Sequence, residues 1–257
     1  MVNEIITSID NPMVKEARSL NDKKHRRFHG KFLVDGEKLV REVVAGAMEV
    51  DKLFVDSSKL SSFGYILEKF DGKVVPVTEK VLASISENIT PQGIIAEVFM
   101  HETFDFNPEP NTPILVLDRI QDPGNLGTII RTASATGFQT IVLIDTADAY
   151  SPKVVRSSSG GIFYLDIFRM TEKEIVDFCE KKNYELLIAD MGGKNIFKSK
   201  IENKNIALVI GNEGQGVSDT FKQKGTAISL PMKEQMESLN AGVSASVLMY
   251  ILMGENI

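Results

Sequence analysis

The stretch Ile206-Ala-Leu-Val-Ile-Gly-Asn-Glu-Gly-Gln-Gly216 decides the fold. Its first five residues are all apolar, and a glycine-rich loop follows at once. A short apolar run bounded in this way fits a strand buried on both faces of a parallel sheet. Four more runs in the same half of the chain share that character: Ile114 to Leu117, Thr140 to Ile144, Glu185 to Ala189 and Ala227 to Leu230. Helical spacing falls between them, at Leu126 to Thr136, Glu172 to Lys182, Ser218 to Lys224 and Asn240 to Met253. Strands alternating with helices predict a doubly wound α/β sheet whose ligands sit beyond the carboxyl ends of the strands.

Residues 103–113 hold Pro108, Pro110 and Pro113, which neither a helix interior nor a central strand accepts. They read as a linker between residues 1–102 and residues 114–257. The first part also alternates. Strands are expected at Lys31 to Asp35, Asp51 to Val55, Lys73 to Val77 and Gly93 to Phe99, and helices at Gly36 to Ala45, Ser61 to Phe70 and Glu79 to Ser86. This is a small α/β domain by pattern.

The 257 residues carry a net charge of −6, which excludes a basic field over the whole protein and leaves room for a local patch. One cysteine, Cys179, excludes a disulfide framework and any multi-cysteine metal site. With only His25, His29 and His101 besides, no metal is expected. No apolar run approaches the roughly 20 residues of a membrane helix. The start, Met-Val-Asn-Glu, does not read as a secretory leader. The expected compartment is the cytoplasm. Cys179 has no histidine neighbour in sequence and reads as a structural residue, which disfavours covalent cysteine chemistry.

Three strand-following loops carry unusual residue sets. In Asp118-Arg-Ile-Gln-Asp-Pro-Gly-Asn-Leu-Gly-Thr-Ile-Ile-Arg131, Pro123 and Gly124 read as a turn and Asn125 as the N-cap of a helix. Arg131 falls on the face of Leu126, Gly127 and Ile130; a solvated helix arginine fits as well. In Gly211 to Gly216, three glycines allow close backbone approach, while Glu213 argues against a phosphate cradle. Leu230 to Asn240 leads into a helix rich in small residues, with Ser238 or Asn240 as its cap. That helix is built for close packing against a ligand or another backbone. Lys153 and Arg156, followed by Ser157 to Gly161, suit phosphate contacts. Taken singly, each of these segments also fits a plain surface turn.

In this order, the segments resemble the SpoU (TrmH) family of RNA ribose 2′-O-methyltransferases, in the SPOUT superfamily. The resemblance rests on Asn125-x-Gly127-x-x-x-Arg131-x-Ala133, on Ile210 to Gly216, and on Ile228 to Met232 with Glu237-Ser-Leu-Asn240; Arg156 to Gly161 resembles a further element. It spans the C-terminal domain. The N-terminal domain resembles, more loosely, the family's RNA substrate-binding module. Lys233 to Met236 departs from the pattern, where a glycine is expected before the Glu-Ser-Leu-Asn run. The resemblance implies a trefoil knot in the C-terminal sheet, S-adenosylmethionine as cofactor and a homodimer through the C-terminal domain. Its cofactor positions fall on Ile210, Gly211, Asn212, Gly216, Ile228, Leu230, Met232, Ser238 and Leu239. Its catalytic positions fall on Asn125, Arg131, Glu213, Ser238 and Asn240. Arg131 would orient ribose and phosphate, Asn125 would position substrate, and Glu213 would hold Arg131 or a neighbouring backbone amide.

RNA needs a basic surface. Between Lys15 and Lys31 lie seven cations against Glu16 and Asp22, a local charge of 7 − 2 = +5. Lys23, Lys24, Arg26, Arg27 and the base-stacking candidate Phe28 lie there; Lys153 and Arg156 join them as RNA-binding candidates. A separate N-terminal domain favours rRNA over tRNA. A non-catalytic ribosome-assembly factor is the competing class, opposed by the intact Asn125, Arg131, Glu213 and Asn240 set. A nicotinamide-dependent oxidoreductase lacks its glycine fingerprint here.

Overall fold

The computed structural model describes residues 4–70, 72–101, 105–201, 205–233, 235–236 and 238–254. The first three residues, two residues of the expected linker (103 and 104) and Glu237 of the third motif lie outside the described residues. Two compact units form. One comprises the residues up to His101 together with Tyr150–Arg156; the other comprises Asp105 to Ala149 and the residues from Ser157 onward.

The first unit runs α1 (Pro12–Ser19), α2 (Lys23–His29), β1 (Lys31–Asp35), α3 (Glu37–Ala45), β2 (Val50–Asp56), α4 (Gly64–Leu67), β3 (Val74–Val77), α5 (Glu79–Ile85) and β4 (Ile94–Phe99). Its sheet has the order β1-β4-β2-β3, with β4 antiparallel to both neighbours and β2 parallel to β3. Helices α1 and α5 cover one face through Val14, Ala17, Leu20, Val81, Leu82 and Ile85, packed on Leu33, Phe54 and Ile95. The four expected strands are present.

The expected helix over Ser61 to Phe70 is instead a 3-10 turn (Ser57–Phe63), the single turn α4 and a second 3-10 turn (Glu68–Phe70). Asp56 Oδ1 accepts from both the backbone N and the Oγ of Ser58, a local bonding pattern that competes with the helix, and Gly64 weakens the helical turn it opens. Helices α1 and α2 were not expected as elements, yet their caps stand in the sequence. Asn11 accepts from Met13 N ahead of Pro12, Asp22 accepts from Lys24 N, and Gly30 closes α2 at φ +63°.

The second unit runs β5 (Ile114–Asp118), α6 (Pro123–Thr136), β6 (Thr140–Ile144), α7 (Pro152–Ser157, its last residue in this unit), β7 (Asp166–Arg169), α8 (Glu172–Lys182), β8 (Glu185–Asn195), β9 (Ile206–Gly211), α9 (Asp219–Lys224), β10 (Thr226–Ser229) and α10 (Ala241–Met253). The sheet order is β10-β8-β9-β5-β6-β7 and every neighbouring pair is parallel. This is the parallel α/β sheet expected from the apolar runs. One face packs Ile114, Val116, Leu186, Ile188, Ala207 and Val209 against Ile175, Val176, Cys179 and Phe221 of α8 and α9. The alternate residues Leu115, Leu117, Leu208 and Ile210 are buried too, so the central strands β5 and β9 bury apolar residues on both faces. The edge strand β7 was missed, since its Asp166 and Arg169 interrupt the apolar signal.

The small-residue face of α10 packs against α6 of the same chain. Thr132 Oγ1 and Ser246 Oγ share a hydrogen bond of 2.9 Å. A Cβ added at Gly242 would lie 3.4 Å from both Asn125 Oδ1 and Thr128 Cβ. Close packing is therefore satisfied within one chain. What α10 leaves outward is Val243, Val247 and Tyr250. Among the described residues no helix is long and apolar enough to cross a membrane.

Candidate functional site

The chain runs from β5 outward to β7, then returns to β8, β9 and β10 on the other side. The connections leaving β5 and β9 therefore diverge, and ligand sites of such sheets form beside that switch point. Three loops meet there. Asp122, not Asn125, caps α6: its Oδ1 accepts from Asn125 N at 2.8 Å, and Pro123 takes the first helical position, where its missing N–H costs nothing. The expected cap at Asn125 and turn at Pro123-Gly124 are corrected accordingly, and the Asn125 side chain is released for other work.

Asn125 Nδ2 donates to Glu213 Oε1 at 2.6 Å, and Asn240 Nδ2 donates to Asn125 Oδ1 at 2.8 Å. Asn240 Oδ1 accepts from Val243 N at 3.2 Å and caps α10; Ser238 does not. An ionised Glu213 only accepts, so it fixes the Asn125 amide, which in turn fixes that of Asn240. One hydrogen-bonded chain thus joins all three sequence motifs. Glu213, expected to hold Arg131 or a neighbouring backbone amide, accepts from the Asn125 side chain instead. Arg131 is exposed on α6 and makes no hydrogen bond or ion pair among the described residues.

Beside this chain lies a cavity of about 320 Å³. All nine residues expected at cofactor positions line it, from Ile210 and Gly211 through Ile228 and Leu230 to Ser238 and Leu239. Glu213 lines it as well. Sequence reasoning missed Ala189, Asp190 and Met191 of β8, just past its last pairing with β9, and Ser244 and Leu248 of α10. The rule that ligands sit at strand carboxyl ends was the available signal for the first three. A Cβ at Gly211 would overlap the backbone of Gly216 and Val217, so the glycine is required by close approach.

The loop after β9 is held rigidly. Asn212 Oδ1 accepts from Gly214 N at 2.9 Å and Gln215 N at 3.0 Å, while its Nδ2 donates to Arg119 O at 3.0 Å. Arg119 also donates to Gln215 Oε1 at 3.1 Å and Gly216 O at 3.2 Å. The fully buried Asp118 accepts from Arg119 Nε at 2.8 Å and from Ser218 N at 2.7 Å. That hydrogen bond raises the pKa of Arg119 further. Arg119 adopts φ +61°, a left-handed conformation that disfavours a non-glycine residue. Asp118 and Arg119 open the first motif, but no local pattern marks them as a clamp on a loop 96 residues away.

Of the serines and glycines expected to contact phosphate, Ser157, Ser158 and Gly161 are taken up in packing. Ser157 fills the space where Gly127 lacks a side chain, Ser158 is fully buried, and Gly161 lies against the backbone of Arg131. Lys153 and Arg156 are exposed. In the basic stretch, Arg26 is corrected: it is 3% exposed, and its Nη1 donates to Leu20 O and Asn21 O at 2.7 Å each. Lys31 is likewise internal, donating to Glu16, Asp51 and the fully buried Glu97. Lys23, Lys24 and Arg27 remain exposed on α2, beside Phe28 at 82% exposure. Cys179 is buried, and burial pushes its thiol up to about 12.

Residues 112–250 match the SpoU rRNA methylase family, and residues 11–96 match the MRM3-like substrate-binding domain. The chain is 33% identical over 254 residues to the 23S rRNA (guanosine(2553)-2′-O)-methyltransferase RlmP of Bacillus subtilis, covering 97% of this chain and 99% of that one. Among solved structures it is similar to an AdoMet-bound rRNA methyltransferase from Sinorhizobium meliloti, at 27% identity and TM-score 0.86, covering 97% of each chain. It is also similar to the SpoU methyltransferase AviRb from Streptomyces viridochromogenes in complex with AdoMet, at 27% identity and TM-score 0.86, covering 96% of this chain and 98% of that one.

Proposed function

Since the chain belongs to the SpoU rRNA methylase family, we infer that it is an S-adenosylmethionine-dependent RNA methyltransferase acting on a ribose 2′-hydroxyl, and we propose ribosomal RNA as its substrate. The observation that carries this is the cavity at the ends of β9 and β10 and beside the middle of β8, where every cofactor position inferred from the motifs comes together. The residues present suit the cofactor. The cavity volume falls in the range of about 300–1,000 Å³ usual for small-molecule sites. The missing side chain of Gly211 lets the backbone of Gly216 and Val217 close against it, which sets the shape of this cavity wall. Asp190 and Glu213 offer carboxylates at a wall that would face a cationic sulfonium compound.

S-adenosylmethionine held by this lining would supply an electrophilic methyl group on positively charged sulfur, to be released from sulfur as the ribose oxygen takes it and gives its proton to solvent. The chain's own residues do the rest. Ile210, Ile228 and Leu230 exclude water from one side of the cofactor. The Glu213–Asn125–Asn240 chain fixes the position of the α6 N-terminus against the cofactor loop. Arg131 holds the ribose and its adjacent phosphate, a role suited to a planar donor fork that stays protonated. An arginine is too weak an acid to act as base without strong perturbation. Ser238 and Leu239 close the cavity on the side of α10.

In this proposal the first unit binds RNA through Lys23, Lys24, Arg27 and Phe28, with Lys153 and Arg156 adding to the same function. A homodimer forms through the outward stripe Val243, Val247 and Tyr250 of α10, 48%, 37% and 52% exposed, which lies at helical spacing i, i+4, i+7. A trefoil knot in the cofactor domain and a cytoplasmic location complete it.

The test is methyl transfer from tritiated S-adenosylmethionine to deproteinised ribosomal RNA and, in parallel, to tRNA. Label in ribosomal RNA is expected; label confined to tRNA would reject the substrate assignment. Neutralising Lys23, Lys24 and Arg27 together should raise the RNA KM and flatten its salt dependence by about two units of slope, at roughly 0.7 per single-strand phosphate contact. Cofactor affinity should not change. An unaltered RNA KM would remove α2 from the interface.

A further inference from the structure

We propose that Lys194 to Lys200, the turn that continues β8 past the cofactor cavity, is a second RNA-binding surface, in which Phe197 stacks on a base and Lys194 and Lys198 contact phosphates flanking the target nucleotide. This rests on the RNA methyltransferase reading above and adds a contact site to it.

Strand β8 outruns its neighbours. It pairs with β9 only over Glu185 to Ile188, then continues to Asn195 along one edge, where Lys194 pairs with Ile228 and Asn195 with Ser229. Ile228 and Ser229 line the cofactor cavity, as do Asp190 and Met191 at the base of the extension. The segment is therefore attached to the cavity wall. It is also built rather than loose. Gly193 lies against the backbone of Ala227 and Ile228, where a Cβ would come within 2.5 Å. Ser229 Oγ donates to Gly193 O at 2.9 Å, Asn195 Oδ1 accepts from Phe197 N at 3.0 Å, and Ser199 Oγ donates to Asn195 O at 2.9 Å.

This scaffold decides which side chains face out. Ile196 is 3% exposed and anchors the turn, while Phe197 next to it is 65% exposed. A lone exposed apolar residue needs no explanation. Here the exposed ring sits on a rigid turn between exposed Lys194 and Lys198, with Lys200 beyond. Over residues 190–200 the charge is three lysines against Asp190, with Lys200 included from a count of Lys194, Lys198 and Lys200, or +2, in a chain of net −6. Asp190 is itself occupied in accepting from Gly192 N at 2.8 Å. Aromatic rings interleaved with cations match the requirements of unpaired RNA, whose bases stack and whose phosphates need counter-charge.

Phe197→Ala and the double variant Lys194→Gln/Lys198→Gln are compared with the wild-type chain in tritiated methyl transfer to deproteinised ribosomal RNA. None of residues 194–200 lines the cavity, so calorimetric S-adenosylmethionine affinity should match wild type and certify the fold. The RNA KM of Phe197→Ala should rise about 5- to 100-fold, the usual loss on removing one stacked base contact. The double variant should lower the slope of log affinity against log salt by about 1.4. An RNA KM and salt slope both equal to wild type would overturn the proposal, leaving the turn to a protein contact. If the wild-type chain itself labels no RNA, it is the methyltransferase reading that fails, and the two failures are distinguished by that control.

Discussion

Gly211→Ala is expected to abolish useful S-adenosylmethionine binding. The added Cβ would overlap the Gly216 and Val217 backbone, and no flexible side chain is available to yield. The opposing strand of that loop is pinned: Arg119 donates to Gly216 O, and Gly216 N donates to Asn212 O at 2.9 Å. Relief requires the whole loop to move, and the loop is a wall of the cavity. Overpacking of this kind costs about 3 kcal/mol, or roughly a 100-fold loss of affinity. Calorimetric titration measures it. Affinity within about threefold of wild type, under 1 kcal/mol, would mean that the cofactor does not rest on this backbone.

Arg131→Ala should separate chemistry from binding. The side chain has no structural partner among the described residues, so its loss should change stability by no more than about 0.5 kcal/mol. It does not line the cavity, so cofactor affinity should hold. Turnover should fall about 10²-fold, the usual cost of letting a reacting group shift by about 1 Å. Arg131→Lys should recover little of it, since a point charge cannot replace a planar fork. Steady-state kinetics with saturating cofactor decides the matter. Near-wild-type turnover of Arg131→Ala would remove Arg131 from the mechanism.

The contrast between these two residues shows what was legible in the sequence. The all-apolar strand that ends on Gly211 was legible, because strand burial follows directly from residue type, while the cofactor position of Gly211 came from the motif resemblance. The same regularity made the parallel sheet, and the cavity at its carboxyl ends, readable in advance. Arg131 carried no such local mark, and the motif resemblance alone singled it out. Partners set by tertiary approach were misread. Glu213 was expected to hold Arg131 or a neighbouring backbone amide, but the Asp122 cap moves the start of α6 and brings the Asn125 side chain to it instead. Arg26 was counted among surface cations because charge patterning cannot see that the turn before α2 exposes two carbonyls to it. The small face of α10 is legible as a close-packing surface, but its partner, α6 of the same chain, is set by tertiary approach. The Asp118–Arg119 clamp spans nearly a hundred residues, beyond the reach of any local pattern.

The central claim is transfer of a methyl group to a ribose oxygen. Its most direct test is digestion of RNA labelled by the wild-type protein from tritiated S-adenosylmethionine. Alkaline hydrolysis needs a free 2′-hydroxyl, so a 2′-O-methylated nucleotide protects the bond on its 3′ side. The label is expected in alkali-stable dinucleotides that yield a 2′-O-methylnucleoside after enzymatic digestion. Label released by alkali as a base-methylated mononucleotide would contradict the assignment of Asn125, Arg131 and the adjoining cavity to ribose chemistry.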